Sequence, residues 1–235
     1  KYCLMKLPDA LWNIHFPENP DYLEEARRRL IFEELLILQL GLEKMRARTQ
    51  KNAGAVIERD FSDEYFSLLP FSPTGAQRRA VKEAMRDMMS GRQMNRLLQG
   101  DVGSGKTAVA AALVYSAAKN SMQSALMAPT EVLAEQHYKT FLKLFEGCGI
   151  KVELLTGSDT AAQKRRKKEA LRAGDIDLLI GTHAIIQSDV EFKSLALVIT
   201  DEQHRFGVEQ RNALGEKGKN PHLYVMSATP IPRTL

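Results

Sequence analysis

The sequence predicts an α/β fold in which a mostly parallel sheet is covered by helices on both faces. After Pro73, short apolar runs alternate with helical stretches, which is the order expected of repeated strand and helix units. Several runs are almost continuously aliphatic, as strands are when both of their faces are buried. A glycine-rich loop also separates one such run from an alanine-rich helix. Together these three observations predict the fold class.

The N-terminal part, residues 1–70, is expected to be a helical linker leading into the α/β domain. Lys1 to Pro20 contain three prolines and the only tryptophan, and we interpret them as an irregular lead-in. A long helix is predicted from Asp21 to about Arg48, with acidic residues near its start and basic residues near its end. Its apolar middle favours packing over DNA contact. Gly54 to Pro70 is interpreted as a connection.

Residues 71–235 are expected to form the α/β domain itself. Strands are predicted at Arg96–Gln99, Ser124–Ala128, Val152–Leu155, Asp177–Ile180, Leu195–Thr200 and Leu223–Ser227. Helices are predicted at Gly75–Ser90, Lys106–Lys119, Thr130–Glu146, Thr160–Ala173 and Val208–Lys217. Hydrophobic residues make up 44% of the chain, which is ordinary for a globular protein and enough to build a core.

Composition argues against several classes of protein. No apolar run reaches the roughly 18 residues of a membrane span, and the N-terminus lacks the pattern of a signal peptide. Two cysteines in unrelated contexts suggest neither a disulfide framework nor a zinc site. We therefore expect a cytoplasmic protein with no membrane partner. The net charge of +4 is only weakly indicative of a polyanionic partner.

A phosphate-binding loop follows the first predicted strand. Its glycines let backbone N–H groups converge on phosphate oxygens, and the following helix adds partial positive charge at its N-terminus. The lysine of the pattern can reach the β- and γ-phosphates, and the threonine hydroxyl can bind Mg²⁺. ATP and Mg²⁺ are the expected cofactors. The loop consists of Gly100, Asp101, Val102, Gly103, Ser104, Gly105, Lys106 and Thr107.

A pair of carboxylates follows the predicted strand Leu195–Thr200. Asp201 is expected to hold the metal, and Glu202 to orient or deprotonate the attacking water. An Asp-Glu pair after a strand is by itself more often a helix cap. Its occurrence together with the phosphate loop favours the catalytic interpretation. His204, with Gln203, either reaches the γ-phosphate or the next motif, or caps the following turn.

Together, the phosphate loop, the tetrapeptide Asp201–His204 and the triplet Ser227, Ala228 and Thr229 resemble the first RecA-like domain of superfamily 2 helicases. The longer string from Asp201 to Arg211 resembles the RecG branched-DNA helicases, with the transcription-repair coupling factor as the nearest relative. Ala26 to Leu36 resembles the linker that precedes the RecG motor. The resemblance implies a bacterial, monomeric, ATP-dependent helicase or translocase that acts on branched duplex DNA, namely replication forks and Holliday junctions, in recombination and repair.

The resemblance also implies roles for further residues. Phe71 and Gln77 match the adenine-recognition motif, although Thr74 to Gln77 also forms a capping-box pattern. Three strand-end segments match motifs that touch the DNA backbone, although capping and turn formation explain them equally well. These segments are Thr130; Thr156, Gly157 and Ser158; and Thr182 and His183. Ser227, Ala228 and Thr229 match the motif that couples hydrolysis to domain movement. The basic run Lys164–Lys168 is more often a solvated helix face than a DNA patch.

The resemblance implies that a second motor domain and a wedge domain lie outside this sequence. We expect this chain to bind nucleotide, to hydrolyse it slowly and to unwind nothing, because the second domain supplies arginines that complete the ATP site. Three alternatives remain at this stage. They are a P-loop enzyme of another class such as a kinase, a nucleotide-gated binding module, and an RNA helicase, which usually carries a different tetrapeptide after the strand.

Overall fold

Residues 3–49, 54–201, 218 and 220–228 are described by the computed structural model. The chain divides into two compact units, residues 1–51 and residues 52–235. The structure therefore groups residues 54–70 with the sheet, whereas the sequence patterns place the change of domain at residue 70. The functional boundary at residue 70 stays a prediction.

The first unit contains two helices, α1 (Leu7–His15) and α2 (Pro20–Thr49), which pack against each other. The long helix is confirmed, and Asn19 precedes it as a cap whose side-chain oxygen accepts from the backbone N–H of Tyr22 at 2.9 Å. The prediction of an irregular lead-in is wrong over Leu7–His15, which form helix α1. Pro8 lies in the first turn of that helix, where its missing N–H leaves no helical bond unmade. Among the described residues, no helix combines the length and apolar character needed to cross a membrane.

The second unit begins with two helices and then alternates between strands and helices. Its elements are α3 (Ser62–Leu68), α4 (Gly75–Met89), β1 (Asn95–Gln99), α5 (Lys106–Lys119), β2 (Gln123–Met127), α6 (Glu131–Leu144), β3 (Val152–Leu155), α7 (Ala161–Ala173), β4 (Leu178–Gly181), a 3-10 helix (His183–Ile186), β5 (Leu195–Asp201) and β6 (His222–Ser227). Each predicted strand is present with bounds that differ by no more than one residue. The helix predicted at Val208–Lys217 lies outside the described residues.

The six strands form one sheet in the order β1-β6-β5-β2-β4-β3. All five neighbouring pairs are parallel, so the prediction of a mostly parallel sheet is confirmed. Every strand therefore points its carboxyl end toward the same edge. Within the part of the chain that the structure describes, the first strand pairs with the last one alone, with Gln99 opposite Ser227.

Side chains along the central strands alternate between two hydrophobic cores, one on each face of the sheet. Leu126 and Ile180 belong to the core that includes α3, α4, α5 and α6, whereas Met127 and Leu179 belong to the core that includes α7. The helices on both faces are thus confirmed. Helix α5 is the most enclosed, because all ten residues of its stretch 108–117 are buried. Its many alanines allow this close approach of neighbouring elements.

The connection predicted at Gly54 to Pro70 contains a helix, α3, that sequence patterns did not indicate. Tyr65 on α3 packs against Tyr115 of α5, with ring centroids 5.2 Å apart. The start of this segment is tied to the sheet by the buried ring of His222. Its Nδ1 accepts from the N–H of Met94 at 3.0 Å, and its Nε2 lies 2.5 Å from the carbonyl oxygen of Ala55. Residues 54–70 are therefore part of the second unit.

Candidate nucleotide and nucleic-acid site

The candidate site residues lie along the carboxyl edge of the sheet, in two adjacent groups. The ends of β1, β6 and β5 carry the phosphate loop, Ser227 and Asp201, and these three strands are neighbours. The ends of β2, β4 and β3 carry Thr130, Thr182 and the segment Thr156–Ser158, and these strands are also neighbours. The parallel sheet therefore separates the residues predicted to bind nucleotide from those predicted to touch DNA. The border between the two groups runs between β5 and β2.

The phosphate loop is held open by two glycines in the left-handed region, Gly103 (φ 81°) and Gly105 (φ 82°). Gly105 is the N-cap of α5 and provides no side-chain bond to the helix. The backbone N–H groups of the first turn therefore face the loop without a cap from their own helix. Behind the loop, the N–H of Gly100 donates to the carbonyl oxygen of Ser227 at 3.1 Å, which fastens the loop to β6.

The ammonium group of Lys106 lies inside the loop. Its Nζ donates to the carbonyl oxygens of Gly100 and Asp101 at 2.6 and 2.8 Å. These two carbonyls thus hold the cation against the loop, where its charge can bind a phosphate anion. Thr107 follows directly in the first turn of α5. The loop's donors are of the kinds that hold ATP, and Thr107 and Asp201 carry oxygen atoms of the kind that Mg²⁺ prefers; their binding of the metal stays a prediction.

Gln77 connects helix α4 to the phosphate loop. Its Oε1 accepts from the N–H of Thr74 at 2.8 Å, and the Thr74 hydroxyl accepts from the N–H of Gln77 at 3.3 Å, so the capping box is present. The same amide donates through Nε2 to the carbonyl oxygen of Ser104 at 2.9 Å. A β-carbon on Gly105 would lie only 2.3 Å from this nitrogen. Adenine contact by Gln77 stays a prediction, as it does for Phe71, whose side chain is exposed.

Asp201 ends β5 and accepts a hydrogen bond from a side chain that the sequence patterns did not single out. Its Oδ2 lies 2.8 Å from Nε2 of His137 on α6, and the two side chains are only 16% and 14% exposed. An ionised carboxylate can only accept, so Nε2 carries the hydrogen. One sign was available in the sequence. His137 lies three residues after Ala134 and four before Phe141, which are both buried, and it therefore shares the inner face of α6.

Several predicted residues lie outside the described part of the chain. Glu202, Gln203 and His204 follow Asp201 directly, and Thr229 follows the described residues Ser227 and Ala228. Their roles in water activation, in the γ-phosphate contact and in coupling stay predictions. Ser227 is placed beside the loop through its backbone contact with Gly100.

In the other half of the edge, the segment after β3 forms a tight turn. The N–H of the buried Thr156 donates to Asp159 Oδ2 at 3.0 Å, and the hydroxyls of Thr156 and Ser158 are 2.8 Å apart. The exposed Gly157 donates its N–H to Oε1 of Glu131 at 2.6 Å. A carboxylate thus occupies the position where a DNA phosphate was expected, and turn formation accounts for these contacts. The DNA contact stays a prediction.

The two remaining strand-end positions are accessible. Thr130 is exposed and caps α6, because its hydroxyl accepts from the N–H of Leu133 at 3.3 Å. Thr182 is half-buried and precedes the 3-10 helix, in which His183 is exposed. Both positions are open to a phosphate backbone. Their DNA contacts stay predictions.

The basic run Lys164–Lys168 on α7 is largely engaged by its own domain. Lys164 donates to the carbonyl of Gly157, and Lys167 donates to Asp159 Oδ1 and to the carbonyl of Leu154, at distances of 2.6–2.8 Å. Burial acts to raise the pKa of Asp159, but Lys167 and the N–H of Thr156 hold it below its usual value. Lys168 pairs with Asp189. These contacts support a structural role for most of the run.

The chain resembles known helicases over nearly its whole length. The profile of the DEAD/DEAH box helicases matches residues 74–235. The chain is 50% identical over 236 residues to the ATP-dependent DNA helicase RecG of Bacillus subtilis, a match covering 98% of this chain and 35% of that protein. It is 50% identical over 234 residues to RecG of Thermotoga maritima, covering 99% of this chain and 30% of that protein. The chain thus spans about a third of the length of these relatives.

Solved structures support the same comparison. A structure of RecG bound to a three-way DNA junction matches with a TM-score of 0.85 and 46% identity, over 99% of this chain and 31% of that chain. The UvsW helicase from bacteriophage T4 matches with a TM-score of 0.56 at 18% identity, over 76% of this chain, which shows a shared fold. The RecA-like helicase fold implied by the motifs is confirmed.

Proposed function

Because the chain belongs to the DEAD/DEAH box helicase family, we propose that it is the ATP-hydrolysing motor domain of a RecG-type DNA helicase. The observation that carries this proposal is the division of the sheet edge. One edge of the sheet carries the phosphate loop after β1 and Asp201 at the end of β5, with β6 between them, and the adjacent three strands carry the second group of polar segments. This division supports a nucleotide bound next to a path for nucleic acid. Neither the kinase nor the gated-module alternative gives a reason for that second group of residues.

The proposed roles follow from where each group lies. The N–H groups of the loop and Lys106 bind the phosphates of ATP. Gln77, which already contacts the loop, and Phe71 bind the adenine. Thr107 and Asp201 hold Mg²⁺, which when bound neutralises the phosphate charge that develops during hydrolysis. Glu202 orients the attacking water. The conformational change that accompanies hydrolysis then reaches the DNA side through β6 and the residues that follow Ser227.

We further propose that the whole protein acts on branched duplex DNA. The relatives are named as DNA helicases, and one of their structures holds a three-way junction. The accessible positions Thr130, Thr182 and His183 are the residues through which this chain would follow the phosphate backbone. A cytoplasmic, monomeric protein is the corresponding proposal for location and assembly. This chain alone is expected to bind nucleotide and to hydrolyse it slowly.

The experiment that tests the nucleotide site is a calorimetric titration of Mg-ATP and Mg-ADP into this chain. The test variant is Lys106→Ala, at the first residue of α5. The matched control is Lys119→Ala, at the last residue of the same helix, where the ammonium pairs with Glu64 at 3.7 Å. We expect saturable binding in the wild type and in the control, and its loss in Lys106→Ala. Equal binding in all three proteins would place the nucleotide elsewhere.

The DNA side is tested by fluorescence anisotropy of a labelled duplex and a labelled three-way junction at several salt concentrations. Each phosphate neutralised by a cationic side chain contributes about 0.9 to the slope of log affinity against log salt, so loss of a neutral threonine hydroxyl should lower affinity and leave that slope unchanged. We expect Thr130→Ala and Thr182→Ala to weaken binding to both DNAs alike, because a backbone contact carries no sequence information. Unchanged affinity in both variants would remove these residues from the DNA path.

A further inference from the structure

The hydrogen bond between His137 and Asp201 crosses the border between the two halves of the site. His137 is on α6, the helix that follows β2 in the half predicted to touch DNA. Asp201 ends β5, the neighbouring strand, in the half that carries the phosphate loop. Their atoms Nε2 and Oδ2 are 2.8 Å apart, and both side chains are largely shielded from solvent.

The strand alone leaves the direction of the Asp201 oxygens undetermined. The terminal torsion of an aspartate is broad, so its carboxylate turns easily unless a partner holds it. Within the described part of the chain, His137 is the side chain that bonds this carboxylate, and it does so through Oδ2. The other oxygen, Oδ1, is then directed to a fixed place. A carboxylate that serves a metal needs such an orientation, and partners of metal ligands commonly provide it.

We infer that His137 is a positioning residue that orients Asp201 for Mg²⁺ and links it to the helix at the DNA-facing half. The inference rests on the proposed function, in which Asp201 serves the metal of Mg-ATP. Helix α6 begins at Glu131, which accepts from the N–H of Gly157, and Thr130 caps the same end. His137 lies two helical turns further along, about 10 Å away. A DNA phosphate that displaces the Glu131 carboxylate from the N–H of Gly157 would therefore shift helix α6, which holds the Asp201 carboxylate through His137.

The test measures the affinity of this chain for ATP with Mg²⁺ and with EDTA, and takes the ratio of the two as the magnesium advantage. Three variants at one position separate the hydrogen bond from packing. His137→Ala removes the donor. His137→Gln places an amide N–H near the position of Nε2, whereas His137→Asn is one carbon shorter and places its amide near the position of Nδ1. Circular dichroism melts report whether each variant is folded.

We expect His137→Ala and His137→Asn to reduce the magnesium advantage about tenfold or more, with affinity in EDTA unchanged, since partners of metal ligands contribute about 10–100-fold. His137→Gln should keep most of the advantage. In an Asp201→Asn background, replacing His137 should change nothing further, because His137 acts through that carboxylate. An unchanged advantage in His137→Asn and His137→Ala would overturn the inference. So would an equal loss of affinity with and without Mg²⁺, which is the behaviour of a residue that only packs.

The wild-type chain separates failure of this inference from failure of the proposed function. A wild type that binds ATP no better with Mg²⁺ than in EDTA contradicts both. A wild type with a clear magnesium advantage that His137→Asn retains leaves the nucleotide site intact and refutes only the role of His137.

Discussion

Replacing Gly105 by alanine tests the contact between helix α4 and the phosphate loop. The new β-carbon would lie 2.3 Å from Nε2 of Gln77, so the amide must move and its bond to the carbonyl of Ser104 must break. Gly103 provides a matched control. It has nearly the same left-handed backbone, with φ 81° against 82°, yet its β-carbon would meet nothing within 4 Å.

The expected magnitudes follow from these geometries. Placing a β-carbon on a residue in the left-handed region lowers the free energy of unfolding by roughly 1–2 kcal/mol, and this applies to both variants. Gly105→Ala also loses the bond from Gln77, which contributes about 1 kcal/mol. We therefore expect Gly105→Ala to lower the free energy of unfolding by about 1 kcal/mol more than Gly103→Ala. The difference should disappear when Gln77 is replaced by alanine, because the clashing amide is then gone.

Urea unfolding followed by far-ultraviolet circular dichroism measures these differences in six proteins. They carry no glycine change, Gly103→Ala or Gly105→Ala, each in the wild-type and in the Gln77→Ala background. The only tryptophan, Trp12, is in the first unit, so its fluorescence follows that unit separately and serves as an internal reference. Equal losses from Gly103→Ala and Gly105→Ala in the wild-type background would refute the contact between Gln77 and the loop.

Three further predictions concern stability. Burial lowers the pKa of His222 below its usual 6.5, so below about pH 6.5 the unfolded chain binds more protons than the folded chain. The free energy of unfolding should therefore fall there by up to about 1.4 kcal/mol for each unit by which the pH decreases. Unfolding measured against pH should show a shallower fall in His222→Asn. Lys167→Met should lower the free energy of unfolding by about 2 kcal/mol, because a charged hydrogen bond is lost. Arg166→Met, on the exposed side of the same helix, should change that free energy little. If Arg166→Met alone lowered DNA affinity, the basic run would have a role in DNA binding. Gly181→Ala should lower the free energy of unfolding by about 3 kcal/mol or more, since its β-carbon would lie 2.2 Å from the backbone oxygen of Leu155. Thermal melts with an unchanged midpoint would contradict the close pairing of β3 and β4.

The sheet was predictable from the sequence because buried parallel strands carry a local pattern. The run Leu195–Ile199 is aliphatic at every position, and it is bounded by the polar residues Ser194 and Thr200. The phosphate loop was predictable for a similar reason, since its pattern is contiguous. Helix α1 was missed because the three prolines between Lys1 and Pro20 were interpreted as signs of an irregular lead-in. Helix α3 was missed because, with seven residues, it depends on packing of Tyr65 against Tyr115.

The contacts between distant segments could not be predicted in the same way. His137 and Asp201 are 64 residues apart, and nothing in either local pattern names the other as its partner. Glu131 adjoins Thr130, which was expected to contact DNA, and its bond to Gly157 joins segments that are 26 residues apart. Gln77 was assigned alternative roles in capping and adenine contact, whereas its bond to Ser104 is a third role that requires the folded loop.

The pairing of β1 with β6 has a consequence for how the chain is made. The strand that leads into the phosphate loop finds its neighbour only in the last described strand, and the bond from Met94 to His222 closes a separation of 128 residues. A ribosome adding 5–20 residues per second takes roughly 6–25 s to cover that distance. During this interval the emerging β1 has no partner strand, and its backbone N–H and C=O groups are open to mispairing. The nascent polypeptide thus acquires its nucleotide site only when residues 222–227 leave the exit tunnel.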